Sequence, residues 1–177
     1  MTRPAILLPG TPAALRPWRL DDGPALQRAA DDRRIARTLR DSFPWPYTLA
    51  EADRWLLWAT TRIPVRELAV TVDDVPVGGI GYVVGEDVHH RSAEVGYWLA
   101  PAWWGRGIAT AAVRALAGYA FDAEDLLRLH AMVFANNPAS MRVLEKAGWA
   151  REGVLRHHVS KDGTVLDVVL YATVRDP

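Results

Sequence analysis

Hydrophobic and polar residues follow two different periods along this chain, and the changes of period divide it into elements. Leu15 to Leu20 reads as a first strand, and Asp21-Asp22-Gly23-Pro24 supplies helix-start chemistry, with Pro24 in a first-turn position where its missing N–H is harmless. A second helical segment around Asp32 to Leu39 runs into Phe43-Pro44-Trp45-Pro46-Tyr47, where two prolines forbid a continuous helix and leave an aromatic loop. Thr48-Leu49-Ala50-Glu51 matches a capping box, and Leu49, Ala52, Leu56 and Ala59 recur at helical spacing, which predicts a helix to about Thr61.

From residue 67 the period shortens. Leu68 to Val72 and Val75 to Val84 are β-branched and aliphatic runs split by Asp73-Asp74, a hairpin pattern. Glu94 to Leu99 alternates, with Val95, Tyr97 and Leu99 on one face and Glu94, Gly96 and Trp98 on the other. Beyond Gly105 and Gly107, Ile108, Ala112, Ala115 and Tyr119 form one stripe of a helix that packs on the sheet. Leu129 to Phe134 is a further strand, Asn137-Pro138 opens a helix through Lys146 that Gly148 stops, and Val154 to Val159 with Val165 to Tyr171 make a closing hairpin across Lys161-Asp162-Gly163. The order predicts a mixed α/β (α+β) fold, with a mostly antiparallel twisted sheet of about seven strands and about four helices. The strand–helix–strand unit from 94 to 134 implies one parallel crossover, hence right-handed.

Length and composition narrow the function. At 177 residues the chain fits one domain spanning 1–177. Lys plus Arg and Asp plus Glu are each 21, so no whole-molecule field attracts a polyanion, and nucleic-acid binding is not expected. With zero cysteines there is no disulfide, thiolate metal site or cysteine nucleophile, which suits a reducing cytoplasm. Met1 to Gly10 holds only a short Ala5-Ile6-Leu7-Leu8 run broken by Pro9, too short for a secretory leader core, and no apolar run is long enough to span a membrane. The five histidines include no i, i+4 helical pair with a third ligand, so no metal is expected; His157 or His158 on the closing hairpin is an alternative base.

Chemistry concentrates between Trp98 and Thr110. Gly105-Arg106-Gly107-Ile108-Ala109-Thr110 joins a strand to a helix through glycines that let backbone N–H groups approach an anion, with a positive helix end behind them and the charge of Arg106 beside them. It is neither a P-loop, lacking Gly-Lys-Ser/Thr, nor a full Gly-x-Gly-x-x-Gly fingerprint; Gly79-x-Gly81 has no helix behind it and is a decoy. With Glu94-Val95-Gly96-Tyr97-Trp98-Leu99, then Trp104 to Thr110, then Asn136-Asn137-Pro138-Ala139-Ser140 through Glu145-Lys146-Ala147-Gly148-Trp149, the chain resembles the GNAT superfamily of N-acetyltransferases over nearly its whole length. Leu15-Arg16-Pro17-Trp18, Phe43 to Thr48, Asp162-Gly163, Asp167 and Tyr171 resemble its RimJ/RimL-like branch of ribosomal-protein N-terminal acetyltransferases.

The resemblance implies a splayed central parallel strand pair and acetyl-CoA as acetyl donor. Gly105 to Thr110 would present main-chain N–H groups to the CoA pyrophosphate, Trp98 and Leu99 would bond the pantetheine arm like an added strand, Asn137 would hold that arm, and Ser140 would lie near the sulfur. Trp104 and Ala109 depart from the commoner pattern; Ala109 is small enough for the cradle, while Trp104 removes a polar contact. Attack on a thioester needs a neutral amine, for which a weak or water-relayed base suffices if the acceptor is an α-amine. Glu94 is the candidate base against a reading as a salt-bridged strand glutamate, and Ser140 the candidate proton donor to the thiolate. Trp45 and Tyr47, with Trp55 and Trp58, are candidates to line the acceptor pocket, against core or dimer contact. The partner is thus an amine acceptor, a protein N-terminus or a small molecule such as an amino acid, polyamine or antibiotic. A non-catalytic acyl-CoA sensor is the reading from another class, and exposed tryptophans leave room for a homodimer.

Overall fold

An eight-stranded sheet forms the spine of the computed structural model, which describes residues 5–176; the Met1–Pro4 part of the leader reading lies outside the described residues. Its strands are β1 (Ile6–Leu7), β2 (Ala13–Pro17), β3 (Glu67–Val72), β4 (Val75–Val84), β5 (Ser92–Leu99), β6 (Arg128–Phe134), β7 (Ala150–Lys161) and β8 (Thr164–Val174), in spatial order β1-β2-β3-β4-β5-β6-β8-β7. The helices are α1 (Gly23–Ala30), α2 (Arg33–Ala36), α3 (Leu49–Thr60), α4 (Ile108–Ala123) and α5 (Pro138–Ala147). Neighbouring strands are antiparallel except β5 and β6, which α4 connects in parallel.

The alternation along β5 separates two cores. Val95 and Leu99 join Ile80, Tyr82, Leu129, Ala131 and Val133 in a core closed by Ile108, Ala112, Val113, Leu116 and Ala120 of α4 and Leu144 of α5. On the opposite face Trp18, Leu26, Tyr47, Ala52, Leu56 and Ala69 form a second core, against which Phe43, Trp55 and Trp98 pack. The α3 stripe of Ala52, Leu56 and Ala59 is buried as its spacing predicts, and Thr48 Oγ1 accepts from the Glu51 N–H at 3.2 Å to start the helix.

Several boundaries differ from expectation. The first long strand is Ala13–Pro17 rather than Leu15–Leu20, because the Asp22 carboxylate accepts from Arg19 N–H and from both Arg16 terminal nitrogens, pulling residues 20–22 into a single 3-10 turn. Arg16 is 4% exposed and also reaches Asp74 at 2.7 Å, tying β2 to the β3–β4 turn. The sequence pattern missed β1, a two-residue edge strand, so the sheet has eight strands. Around Asp32 to Leu39 only Arg33–Ala36 is α-helical.

Candidate active site

The parallel pairing of β5 with β6 covers only Ser92/Arg128, Ala93/Leu129 and Glu94/His130; beyond Glu94 the strands diverge, leaving a wedge whose edge is the main chain of residues 95–99. The predicted splay is therefore present, and the predicted site residues other than Trp45 lie along its two sides. On the α4 side, Gly105 and Gly107 have φ of +74° and +76°, conformations that a side chain disfavours. A Cβ at either would meet nothing within 4 Å, so both glycines border open space. Gly107 is the N-cap of α4 without a side-chain cap, and among the described residues no acceptor takes the N–H groups of Arg106 to Thr110. A row of unsatisfied donors at the start of a four-turn helix is the chemistry a diphosphate needs, so these residues fit CoA. Arg106 lies over the Trp103 ring at 4.8 Å, beside that row.

Trp104 is half-exposed and its indole N–H donates to Leu99 O at 2.7 Å. Its polar atom thus closes the end of β5, and the Arg34 guanidinium lies over its ring at 5.8 Å. Leu99 itself is buried in the main core, and the Trp98 side chain lies over Gly79 on the opposite face.

At the wedge's other wall, Asn137 caps α5, its Oδ1 accepting from Ser140 N–H at 3.2 Å while its amide nitrogen makes no hydrogen bond among the described residues. Tyr97, from the core-facing side of β5, reaches across: its hydroxyl lies 2.6 Å from Ser140 Oγ and donates to Ser140 O at 3.1 Å. Burial pushes the Tyr97 phenol up to about 12, with the Ser140 hydrogen bond pulling the other way, so the hydroxyl keeps its proton at neutral pH. Sequence reasoning placed Tyr97 only as a core residue; the signal was that a buried phenol needs a polar partner, without saying which.

On the α1/α3 side of the wedge lies a cavity of about 620 Å³. Phe43, Tyr47, Trp55, Trp58 and Trp98 line it, with Phe43 stacked edge-on to Trp98 at 5.5 Å. Tyr47, Trp55 and Trp58 all border this cavity, while Tyr47 is also a member of the second core and Trp55 packs against it, the alternative reading of these rings. Trp45 does not line the cavity: it is half-exposed, with Arg33 over its ring at 5.4 Å. Glu94 faces the cavity but is ion-paired to the Arg40 guanidinium, so the candidate base is also the salt-bridged glutamate of the competing reading. A second carboxylate, Glu67 of β3, was not singled out from the sequence. Burial pushes it up to about 7, against a smaller opposing pull from Arg62. His158 lines a separate cavity of about 260 Å³ with Arg40, Asp41 and Lys161.

Residues 13–150 match the acetyltransferase (GNAT) domain family. The chain is 35% identical over 127 residues to the uncharacterized N-acetyltransferase YoaA of Bacillus subtilis, covering 72% of this chain and 67% of that one. It is 32% identical over 144 residues to the ribosomal-protein-serine acetyltransferase of Escherichia coli, covering 78% and 80%. Among solved structures, Mycobacterium smegmatis RimJ in complex with CoA-disulfide superposes with a TM-score of 0.82 at 27% identity, covering 98% of this chain and 86% of that one.

Proposed function

Since the chain belongs to the GNAT acetyltransferase family, in its RimJ/RimL-like branch, we propose that it moves an acetyl group from acetyl-CoA to the α-amine of a protein or peptide N-terminus. The observation that carries this reading is the wedge itself, with free main-chain donors on one face and an aromatic cavity bearing carboxylates on the other. The donor supplies a thioester whose carbonyl carbon is the electrophile.

The chain's own groups divide the work. Arg106 to Thr110 hold the diphosphate through their N–H groups, the Asn137 amide and the β5 edge align the pantetheine amides, and Ser140 stands at the sulfur. Ser140 gives its proton to the departing thiolate, and the Tyr97 hydroxyl, which its buried setting keeps protonated, turns its own proton from Ser140 O to the Ser140 Oγ that lies 2.6 Å away. Glu94, bridged to Arg40 at the cavity side, attracts and orients the ammonium. An α-amine, with a reference pKa of about 7.7–8.0 against about 10.4 for lysine, needs only modest help to become neutral, which favours N-termini over side chains.

Peptides with different first residues, incubated with acetyl-CoA and read by intact mass, test the proposal. Acetylation of free N-termini, with N-blocked lysine peptides left unmodified, is the expected result. Turnover confined to polyamines or amino acids would move the acceptor to small molecules. Cofactor binding without thiol release on any amine would make the protein a sensor.

A further inference from the structure

Three strands place one empty spot between two carboxylates. Glu67 on β3 pairs with Gly81 on β4, and Gly81 pairs with Gly96 on β5, so the three lie in one row across the cavity-facing surface. The Glu67 side chain lies over Gly81: a Cβ there would sit 2.0 Å from Glu67 Oε2. The next position in the row, Gly96, is exposed, and a Cβ there would meet nothing within 4 Å. Since adjacent strands are about 4.8 Å apart, the Glu67 carboxylate stands roughly one strand spacing from the open floor at Gly96, just inside the wedge. Along β5 the same spot is framed by Glu94 on one side and Trp98 on the other, both on this face.

The two carboxylates differ in company. Glu94 is held by Arg40, whereas Glu67 makes no hydrogen bond or ion pair among the described residues. A carboxylate laid over Gly81 in this aromatic-lined cavity without a partner is unfavourable for the fold, which leaves it room for a cation that arrives later. Resting on the acetyl-transfer reading above, we propose that Glu67 is the group that takes the proton from the acceptor amine, in a site floored by Gly96 and framed by Glu94 and Trp98. The ammonium nitrogen gives one proton to the Glu67 carboxylate. Its freed lone pair forms the C–N bond at the thioester carbonyl carbon as the C–S bond breaks. The nitrogen's second proton replaces the one that Ser140 gives to sulfur, and Glu67 releases its own to solvent through the cavity mouth.

The proton affinity of Glu67 suits this role. Held up near 7, it exchanges a proton with an α-amine at little loss, and with lysine only against a gap of about three pKa units. The charged and titratable groups around it on this face are Arg62 after α3, Glu51 and Arg54 on α3, Tyr47, and across the floor Glu94 with Arg40 and the neighbouring His130; the Tyr82 hydroxyl is on the other face, donating to Glu124. The Gly79-x-Gly81 pair, without a role as a phosphate turn, is what lets the Trp98 and Glu67 side chains lie flat on β4.

The test compares kcat/KM across pH for the wild-type chain, Glu67→Gln, Glu94→Gln and Gly81→Ala, on a peptide with a free N-terminus, alongside CoA affinity by calorimetry. The wild type is expected to show an acid limb near about 7. In Glu67→Gln that limb disappears, leaving the acceptor's own ionisation, and kcat/KM falls about a hundredfold while CoA affinity is unchanged. Gly81→Ala, which pushes the carboxylate off its strand, lowers kcat in the same direction without touching its charge. Glu94→Gln raises the acceptor KM and keeps the limb. A Glu67→Gln enzyme that keeps both rate and limb overturns the inference and leaves acetyl transfer standing. Loss of CoA affinity in that variant marks Glu67 as structural and also overturns it. A wild-type chain that acetylates no amine overturns the parent reading and this inference together.

Discussion

On the α4 side of the wedge stand main-chain N–H groups held open by two glycines at positive φ; on the α3 side stand aromatic rings and carboxylates from the 43–47 loop, α3, β3 and β5. The first kind of site depends on backbone conformation and tolerates almost any exposed side chain. The second depends on side-chain identity and on strand register, since a one-residue slip would turn Glu67 and Gly96 to the other face. Under the proposed function, donor and acceptor recognition can therefore be perturbed independently.

The sharpest way to break that contrast is Gly107→Val. At φ +76° a β-branched residue carries strain of roughly 1–3 kcal/mol, relieved by shifting the turn, so CoA affinity is expected to fall by at least about tenfold in calorimetry. The acceptor-side chemistry of the residual activity should be unchanged. If Arg106→Ala, which removes only an exposed charge, weakened CoA more than Gly107→Val, main-chain recognition would not be the governing contribution.

The next largest effect concerns stability on the acceptor side. The folded-state value of Glu67, about 7, lies above its ordinary 4.5, so its contribution is fully present below about 4.5 and is lost as pH rises through about 7. Glu67→Gln should then match the wild type in urea unfolding near pH 4.5 and exceed it by about 1–3 kcal/mol near pH 8. Equal stabilities at both pH values would contradict the enclosure of that carboxylate. Smaller in effect, Trp55→Ala removes one wall of the aromatic cavity, the proposed acceptor site. It should raise the acceptor KM by about tenfold and leave the acetyl-CoA KM alone, as steady-state kinetics with each substrate varied would report.

The same contrast governs what could be read from the chain before its structure. Gly105, Gly107, the Asn137-Pro138 helix start and the Thr48 cap are local devices, whose residue types and spacing already specify their geometry. Glu67 was invisible because its meaning comes from pairing with Gly81 and Gly96, 14 and 15 residues further along each time, through register that no local pattern encodes. Tyr97 was legible as a buried residue, and only the approach of α5 to β5 makes it Ser140's partner. Trp45 and Tyr47 looked equivalent in the aromatic loop, yet Tyr47 is 4% exposed and Trp45 51%, a division set by which way the loop turns over α1. Leu20 continued a hydrophobic pattern that the Arg16–Asp22 ion pair cut short.

The brevity of the β5–β6 pairing bears on the architecture as a whole. Five strands lie on one side of that seam and three on the other, and only three residue pairs weld them along the sheet. An extended amide chain laid along the bare edge is then a rivet as well as a reagent: it spans a joint the polypeptide leaves half-closed, and by mass action it adds its binding free energy to the cohesion of the two blocks.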